Sequence, residues 1–259
     1  MIVIGIVLLA AAVGGFFYMR HTRGELHAMI GAETVPVPEL ELLRSASDEV
    51  GGQGHFRKQC EVVGVAHPRP EGLLVSEISG TECVWYRYVV KRRFQYVEWK
   101  DGRRETRTKT EPIIEHTSWE GYALRDDQGV LIGVDPNGTR PDRPEQVVKR
   151  FEPSRHEPPR NLAQKLNELF FSAPSETLGY QYEEWVIRPG QRLYILGEVH
   201  DKIGPLVIGK PEGEGYFIIS TRTEQELRKS RRGRHTLLAF GVPAVAVLGL
   251  VVLVLAILR

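Results

Sequence analysis

Cysteine is nearly missing from this chain: Cys60 and Cys83 are the only two in 259 residues. Two thiols cannot build a disulfide scaffold or a four-cysteine zinc site. Excess charge is missing as well. Against 33 Asp and Glu stand 34 Lys and Arg, whereas nucleic-acid-binding domains carry a basic excess, so nucleic acid is not an expected partner. Catalytic signatures are also lacking. The eight histidines, at positions 21, 27, 55, 67, 116, 156, 200 and 235, form no His-x-His or His-Glu-x-x-His pattern, and no nucleophile elbow, phosphate loop or dinucleotide-binding glycine pattern occurs. No catalytic residue, metal or other cofactor is therefore expected, and an enzyme is the less favoured class.

One further lack is local. Residues 1–19 and 236–258 contain no Lys, Arg, Asp or Glu, so the average composition blends two apolar stretches with a strongly charged remainder. As helices the two stretches would measure about 28 Å and about 35 Å, against a hydrocarbon core of about 30 Å. Pro243 inside the second is tolerated in a membrane helix. The first has small residues at Ala10–Ala12 but no basic leader, and it stays apolar through Phe16, Phe17 and Tyr18, so it reads as a retained anchor rather than a cleaved signal. Arg20 and Arg23 follow the first stretch, Arg228, Lys229, Arg231, Arg232 and Arg234 precede the second, and only Arg259 lies beyond it. Both basic flanks belong to one loop. The expectation is that residues 20–235 are cytoplasmic, at the plasma membrane if the source is bacterial, and labelling of Cys60 or Cys83 only from outside intact cells would contradict it. The run from Arg228 to Arg234 is also the candidate contact with anionic lipid, worth about 1 kcal/mol per residue.

Between the stretches, Glu39–Ser45 reads as a short helix after Pro36 and Pro38, and Gly51, Gly52 and Gly54 mark a boundary. Runs rich in Val, Tyr, Trp and Thr then read as strands: QCEVVGVA, GLLVSE, TECVWYRYVVKRRFQYVEW, RRETRTKT, EGYALRD and GVLIGVD, and later YQYEEWVI, RLYILGEVH, PLVIG and GYFIIS. Tight turns are expected at Lys100–Arg103 and Asp126–Gly129. Pro136–Pro159 reads as an exposed excursion, and Leu162, Leu166, Leu169 and Phe170 as a helical stripe. The expected division is 1–19 a membrane helix, 20–50 a juxtamembrane segment, 51–220 a β-rich domain, 221–235 a basic juxtamembrane segment and 236–258 a second membrane helix. The fold class is a membrane-anchored α+β protein with a β-rich meander or barrel between two transmembrane helices.

Laying Cys60–Arg87 over Leu193–Ser220 aligns Gly64, His67, Leu73 and Gly80 with Gly197, His200, Leu206 and Gly213. Residues 58–150 and 180–220 are then either copies of one meander or two meanders alike by chance. Other residues carry little chemistry by pattern. Cys60 and Cys83 sit inside apolar strand patterns, as buried thiols do. His67 and His200 read as loop histidines before a paired site. Glu183-Glu184 beside Trp185 and the cluster Lys91-Arg92-Arg93 with Arg103-Arg104 read as solvated strand faces, and Glu212–Gly215 as a turn.

The order of SGTECVWYRYVV, a long hairpin ending at Trp99, DDQGVLIGVDP, YEEWVIRPGQRLYILGEV and GPLVIGKPEGEGYFIIS between two anchors resembles the GIDE family, mitochondrial E3 ubiquitin ligases whose middle region is called the BAM, or beside-a-membrane, domain. The resemblance runs from about Thr34 to the second anchor. It implies a partner-recognising domain at the membrane, and in the eukaryotic ligases a zinc-binding RING that two cysteines cannot supply. The expectation is a RING-less, prokaryotic member that binds membrane lipid and a protein partner, with self-association among its expected contacts. The alternative is an E3-like transferase component acting with a separate catalytic partner, and a purely structural membrane organiser is the third reading.

Overall fold

The computed structural model describes residues 2–100, 102–154 and 176–257. Two long helices frame the chain. Helix α1 spans Ile2–Gly31 and α3 spans Glu224–Ile257, and both are long and apolar enough to cross a membrane. They pack on each other through small residues: a Cβ on Gly15 would lie 2.9 Å from Val242, and one on Gly249 would lie 3.0 Å from Leu8. Glycine at such positions lets helices approach closely where lipid offers no hydrophobic drive. Each helix runs past its charge-free stretch, so the basic run occupies the first turns of α3. Thr223 and Glu226 open that helix with a reciprocal capping box, each side chain taking the other's backbone N–H at 3.3 Å.

After α1, helix α2 covers Val37–Gly51, longer than Glu39–Ser45 because Pro36 and Pro38 suit its first turn and Gly52, at φ +81°, closes its end. The strands are β1 (Arg57–His67), β2 (Leu74–Val75), β3 (Glu82–Cys83), β4 (Trp85–Lys100), β5 (Arg103–Thr117), β6 (Tyr122–Arg125), β7 (Leu131–Val134), β8 (Glu145–Pro153), β9 (Glu176–Ile187), β10 (Arg192–His200), β11 (Val207–Gly209) and β12 (Ile218–Ser220). Strands β1, β6, β7, β11 and β10 pair in that order, and β10 returns to β1 to close a five-stranded barrel. Only β7–β11 is parallel. The barrel core holds Cys60, Val62, Leu124, Ile132, Ile195 and Ile208, with Val37 and Leu40 of α2 packed into it. Asp126, at the Asp126–Gly129 turn, fixes that helix: its Oδ2 accepts the Val37 N–H at 3.0 Å while Oδ1 accepts from Gln128 and Val130.

Strands β5, β4, β9 and β8 form a second sheet. Its core of Tyr88, Val90, Tyr182 and Val186 adjoins the barrel core, to which Trp85 of β4 and Ile187 of β9 contribute. Strand β8 corrects the expectation of an exposed excursion over Pro136–Pro159. Val148 is its one buried residue, so an edge strand with charges outward resembles a loop in composition. The expected stripe of Leu162, Leu166, Leu169 and Phe170 lies outside the described residues. The two stretches of the 133-residue offset are built differently: β2 and β3 pair with each other, whereas β11 and β12 both pair with β10.

Candidate functional site

Strand β10 is buried on both faces. Leu193, Ile195 and Val199 enter the barrel, while Tyr194 and Leu196 point outward and meet Met29 of α1, Ile218 of β12 and Leu227 of α3. The ends of both long apolar helices are thus packed against the barrel wall. Polar bonds complete the seam. Arg228 donates to the Met29 carbonyl and pairs with Glu224 at 2.5 Å, and Arg231 pairs with Glu25 of α1. Only Thr221–Thr223 separate β12 from α3, so no flexible linker lies between domain and helix.

Glu61 is fully buried in this seam. One carboxylate oxygen accepts from the Tyr194 hydroxyl and the other from Thr34 Oγ1 at 3.0 Å. Burial raises its pKa above the usual carboxylate value, against the lowering effect of those two bonds. Burial and then the bond to Glu61 likewise push the Tyr194 phenol upward. A folded pKa above the unfolded one gives stability that is complete below the unfolded pKa and is lost as pH rises through the folded pKa. Glu61→Gln keeps an acceptor for Tyr194 without the charge. It is expected to raise the unfolding temperature at pH 8, with the gain over the native chain shrinking as pH falls towards 4, as thermal unfolding in detergent at stepped pH would show.

The five basic residues divide. Arg228 and Arg231 turn inward onto α1, whereas Lys229, Arg232 and Arg234 are exposed. Beside them a groove of about 900 Å³ lies between α1 and α3.

In the second sheet, Glu183 and Glu184 depart from the solvated face expected of them. Both are buried, Glu184 completely. Lys91 Nζ donates to Glu183 at 2.5 Å. Glu184 holds the β2–β3 loop: it accepts from the N–H groups of Ile78 (2.8 Å) and Ser79 (2.9 Å) and from the hydroxyls of Ser76 (3.1 Å) and Ser79 (2.5 Å). Arg92 departs likewise, buried over the Phe94 ring and donating to Thr177 Oγ1 at 2.9 Å. These carboxylates are spent on structure rather than acid/base chemistry.

Cys60 and Cys83 are buried as their strand patterns imply, and burial pushes each thiol up to about 12. Labelling them in the folded chain therefore cannot report topology. His67 and His200 stand at opposite ends of the β1–β10 pair, since Arg57 faces His200 and Val65 faces Arg192, so they form no joint site. His200 is held below its usual pKa by burial and by Lys202 and Arg57. Among the described residues no cluster of three or more His, Cys, Asp or Glu is arranged to hold a metal.

The remaining feature is an arm. Strand β4 leaves β9 after Gln95, and from Tyr96 to Lys100 it pairs only with Arg103–Arg107 among the described residues. The register Lys100–Arg103 leaves two residues for the turn, with Gly102 at φ +75°. Trp99 is 73% exposed near the tip, and Val97 is exposed too.

A sequence profile of the GIDE family, described as E3 ubiquitin ligase, matches residues 91–254, more than half of the chain. The chain belongs to the GIDE family. No curated protein and no solved structure matches it. The GIDE match begins within β4 and takes in the arm, the second sheet, β10–β12 and the apolar part of α3. Sequence reasoning did not single out Glu61, although a carboxylate within an otherwise apolar strand run, as in QCEVVGVA, was a usable signal for it, and it read Glu184 as solvated where the fold buries it.

Proposed function

We propose that this chain is the membrane-anchored recognition component of an E3-type system, with residues 20–235 on the cytoplasmic side of a two-pass protein. The β-rich domain presents the β4–β5 arm to a protein partner or substrate at the same membrane, and Lys229, Arg232 and Arg234 rest on the lipid surface. Tethering at both ends raises the effective concentration of the domain for membrane-bound partners. Transfer chemistry is assigned outside these residues, whose only thiols, Cys60 and Cys83, are both buried.

The arm is the observation that carries this reading. A two-stranded ribbon is marginally stable alone in water, and a tryptophan 73% exposed at its end adds little to the chain's own core. Tryptophan is enriched among the residues that dominate binding energy. The test uses the full chain in its own membranes, with a photoreactive residue in place of Val97 or, as control, of Ile203, which is 73% exposed on the barrel. One discrete adduct is expected from position 97 only, weakened at least about tenfold by Trp99→Ala while the unfolding temperature moves by less than about 2 °C. Equal adducts from both positions, or an adduct indifferent to Trp99→Ala, overturn the assignment.

A further inference from the structure

The groove between α1 and α3 lies where the charge-free stretches end. Met19 is the last residue of the first stretch and Thr236 the first of the second, and the lining includes Arg20, Arg23 and His27 from α1 and His235 from α3. On the membrane side of these polar groups the lining is Phe16, Phe17 and Ala239. The groove therefore has an apolar half at the depth of acyl chains and a cationic half at the depth of headgroups.

Its charge is not neutralised locally. Glu25 is the only acidic residue between Arg20 and Gly31, and Arg231 already occupies it. Arg23 donates through Nε to His27 Nε2 at 3.3 Å, which leaves its two terminal nitrogens for another acceptor and holds the pair on one face. Tyr216, from the loop before β12, closes the water side. A Cβ on Gly24 would lie 2.0 Å from the Tyr216 hydroxyl, so only glycine at this turn of α1 admits that ring. Two arginines lining one groove suit the oxygens of a phosphate, which arginine binds with fixed geometry.

We propose that this groove binds the headgroup phosphate of one anionic phospholipid, with Arg20 and Arg23 as its main donors and Phe16 and Phe17 against its acyl chains. The site differs from the exposed face of Lys229 and Arg232, which meets the surface diffusely. It rests on α1 and α3 lying in the bilayer but not on the arm, so the cross-linking test above and the test below fail independently.

The experiment is native mass spectrometry of the full chain in detergent, offered phosphatidylglycerol, phosphatidylcholine or inorganic phosphate. One retained phosphatidylglycerol is expected, with phosphatidylcholine retained much less and inorganic phosphate unable to displace it at equal concentration. Arg20→Gln with Arg23→Gln should weaken retention about 30-fold, the product of two charges near an anionic lipid, whereas Arg20→Lys with Arg23→Lys should retain most of it. Lys229→Gln with Arg232→Gln removes the same charge outside the groove, where in detergent no lipid surface is present for these residues to meet, and should weaken retention of the single lipid less than about threefold. Failure of the Gln pair to fold would show as reactive Cys60 and Cys83, and the Lys pair and the outside pair then decide between groove and surface. Equal retention of both lipids, equal losses from the two neutralised pairs, loss of retention in the Lys pair, or displacement by inorganic phosphate overturns the proposal.

Discussion

Glu184→Ala is expected to lower the unfolding temperature by about 10 °C, the equivalent of about 4 kcal/mol in a domain of this size. Four donors converge on the buried carboxylate, two from the backbone and two from serine hydroxyls, and alanine leaves the loop from Ser76 to Thr81 without its anchor. Hydrogen bonds to a charged group contribute about 1.5–3 kcal/mol each, and a donor left unsatisfied in the interior costs its full desolvation. The hydroxyls can turn to other acceptors and water can enter the opened loop, so the total stays below the sum of four bonds.

Glu184→Gln separates charge from shape. Its amide oxygen can replace Oε2, which takes three of the four bonds, but its NH₂ then faces the Ile78 N–H, donor against donor. A loss of about 2 kcal/mol is expected, intermediate between the native chain and alanine. The protein supplies its own reporter. Cys83 belongs to the same core as Tyr182 and Val186, beside this loop, whereas Cys60 lies in the barrel. Reaction of the two thiols with a fluorescent maleimide during heating, resolved by mapping the labelled peptides, should show Cys83 exposed first in Glu184→Ala. An alanine variant within 3 °C of the native chain would mean that the loop holds itself without the carboxylate.

The same residue shows where sequence reasoning reached its limit. The strands, the Lys100–Arg103 hairpin and the two long apolar helices were legible because periodicity, turn chemistry and charge-free length are local properties. Glu183 and Glu184 were read as solvated because alternation and charge said so, and what removes them from water lies 92 and 105 residues away, at Lys91 and Ser79. Arg228 reads as a surface cation until the Met29 carbonyl, 199 residues distant, is placed beside it. Strand β8 escaped because an edge strand with one buried side chain has the composition of a loop. The arm was visible as a hairpin, but that its end meets no third strand among the described residues depends on where β9 begins, opposite Gln95. In each case the missing information was a partner from far along the chain, which no window on the sequence contains.

Gly64→Ala and Gly197→Ala are expected to cost about 3 kcal/mol each, for a reason that the apparent repeat only hinted at. Neither glycine has the positive φ that would favour it for conformation. What excludes a side chain is space: a Cβ on Gly64 would lie 2.4 Å from the Arg125 carbonyl oxygen, and one on Gly197 would lie 2.6 Å from that of Gly209. Both obstacles are backbone on a neighbouring strand, where β1 meets β6 and β10 meets β11 in a barrel of only five strands. So tight a closure brings strands close enough that a methyl group must part them. The aligned pair Gly80 and Gly213 behaves differently. Gly80 needs its φ of +68° in a turn, while a Cβ on Gly213 would meet nothing within 4 Å. Gly213→Ala is therefore expected to change stability by less than about 0.5 kcal/mol and Gly80→Ala to cost about 1 kcal/mol. Heating should expose Cys60 about 10 °C earlier in either barrel variant than in the native chain. If Gly64→Ala and Gly213→Ala unfolded at the same temperature, the barrel would be looser than its register implies, and matched glycines at 64 and 197 would owe nothing to its closure.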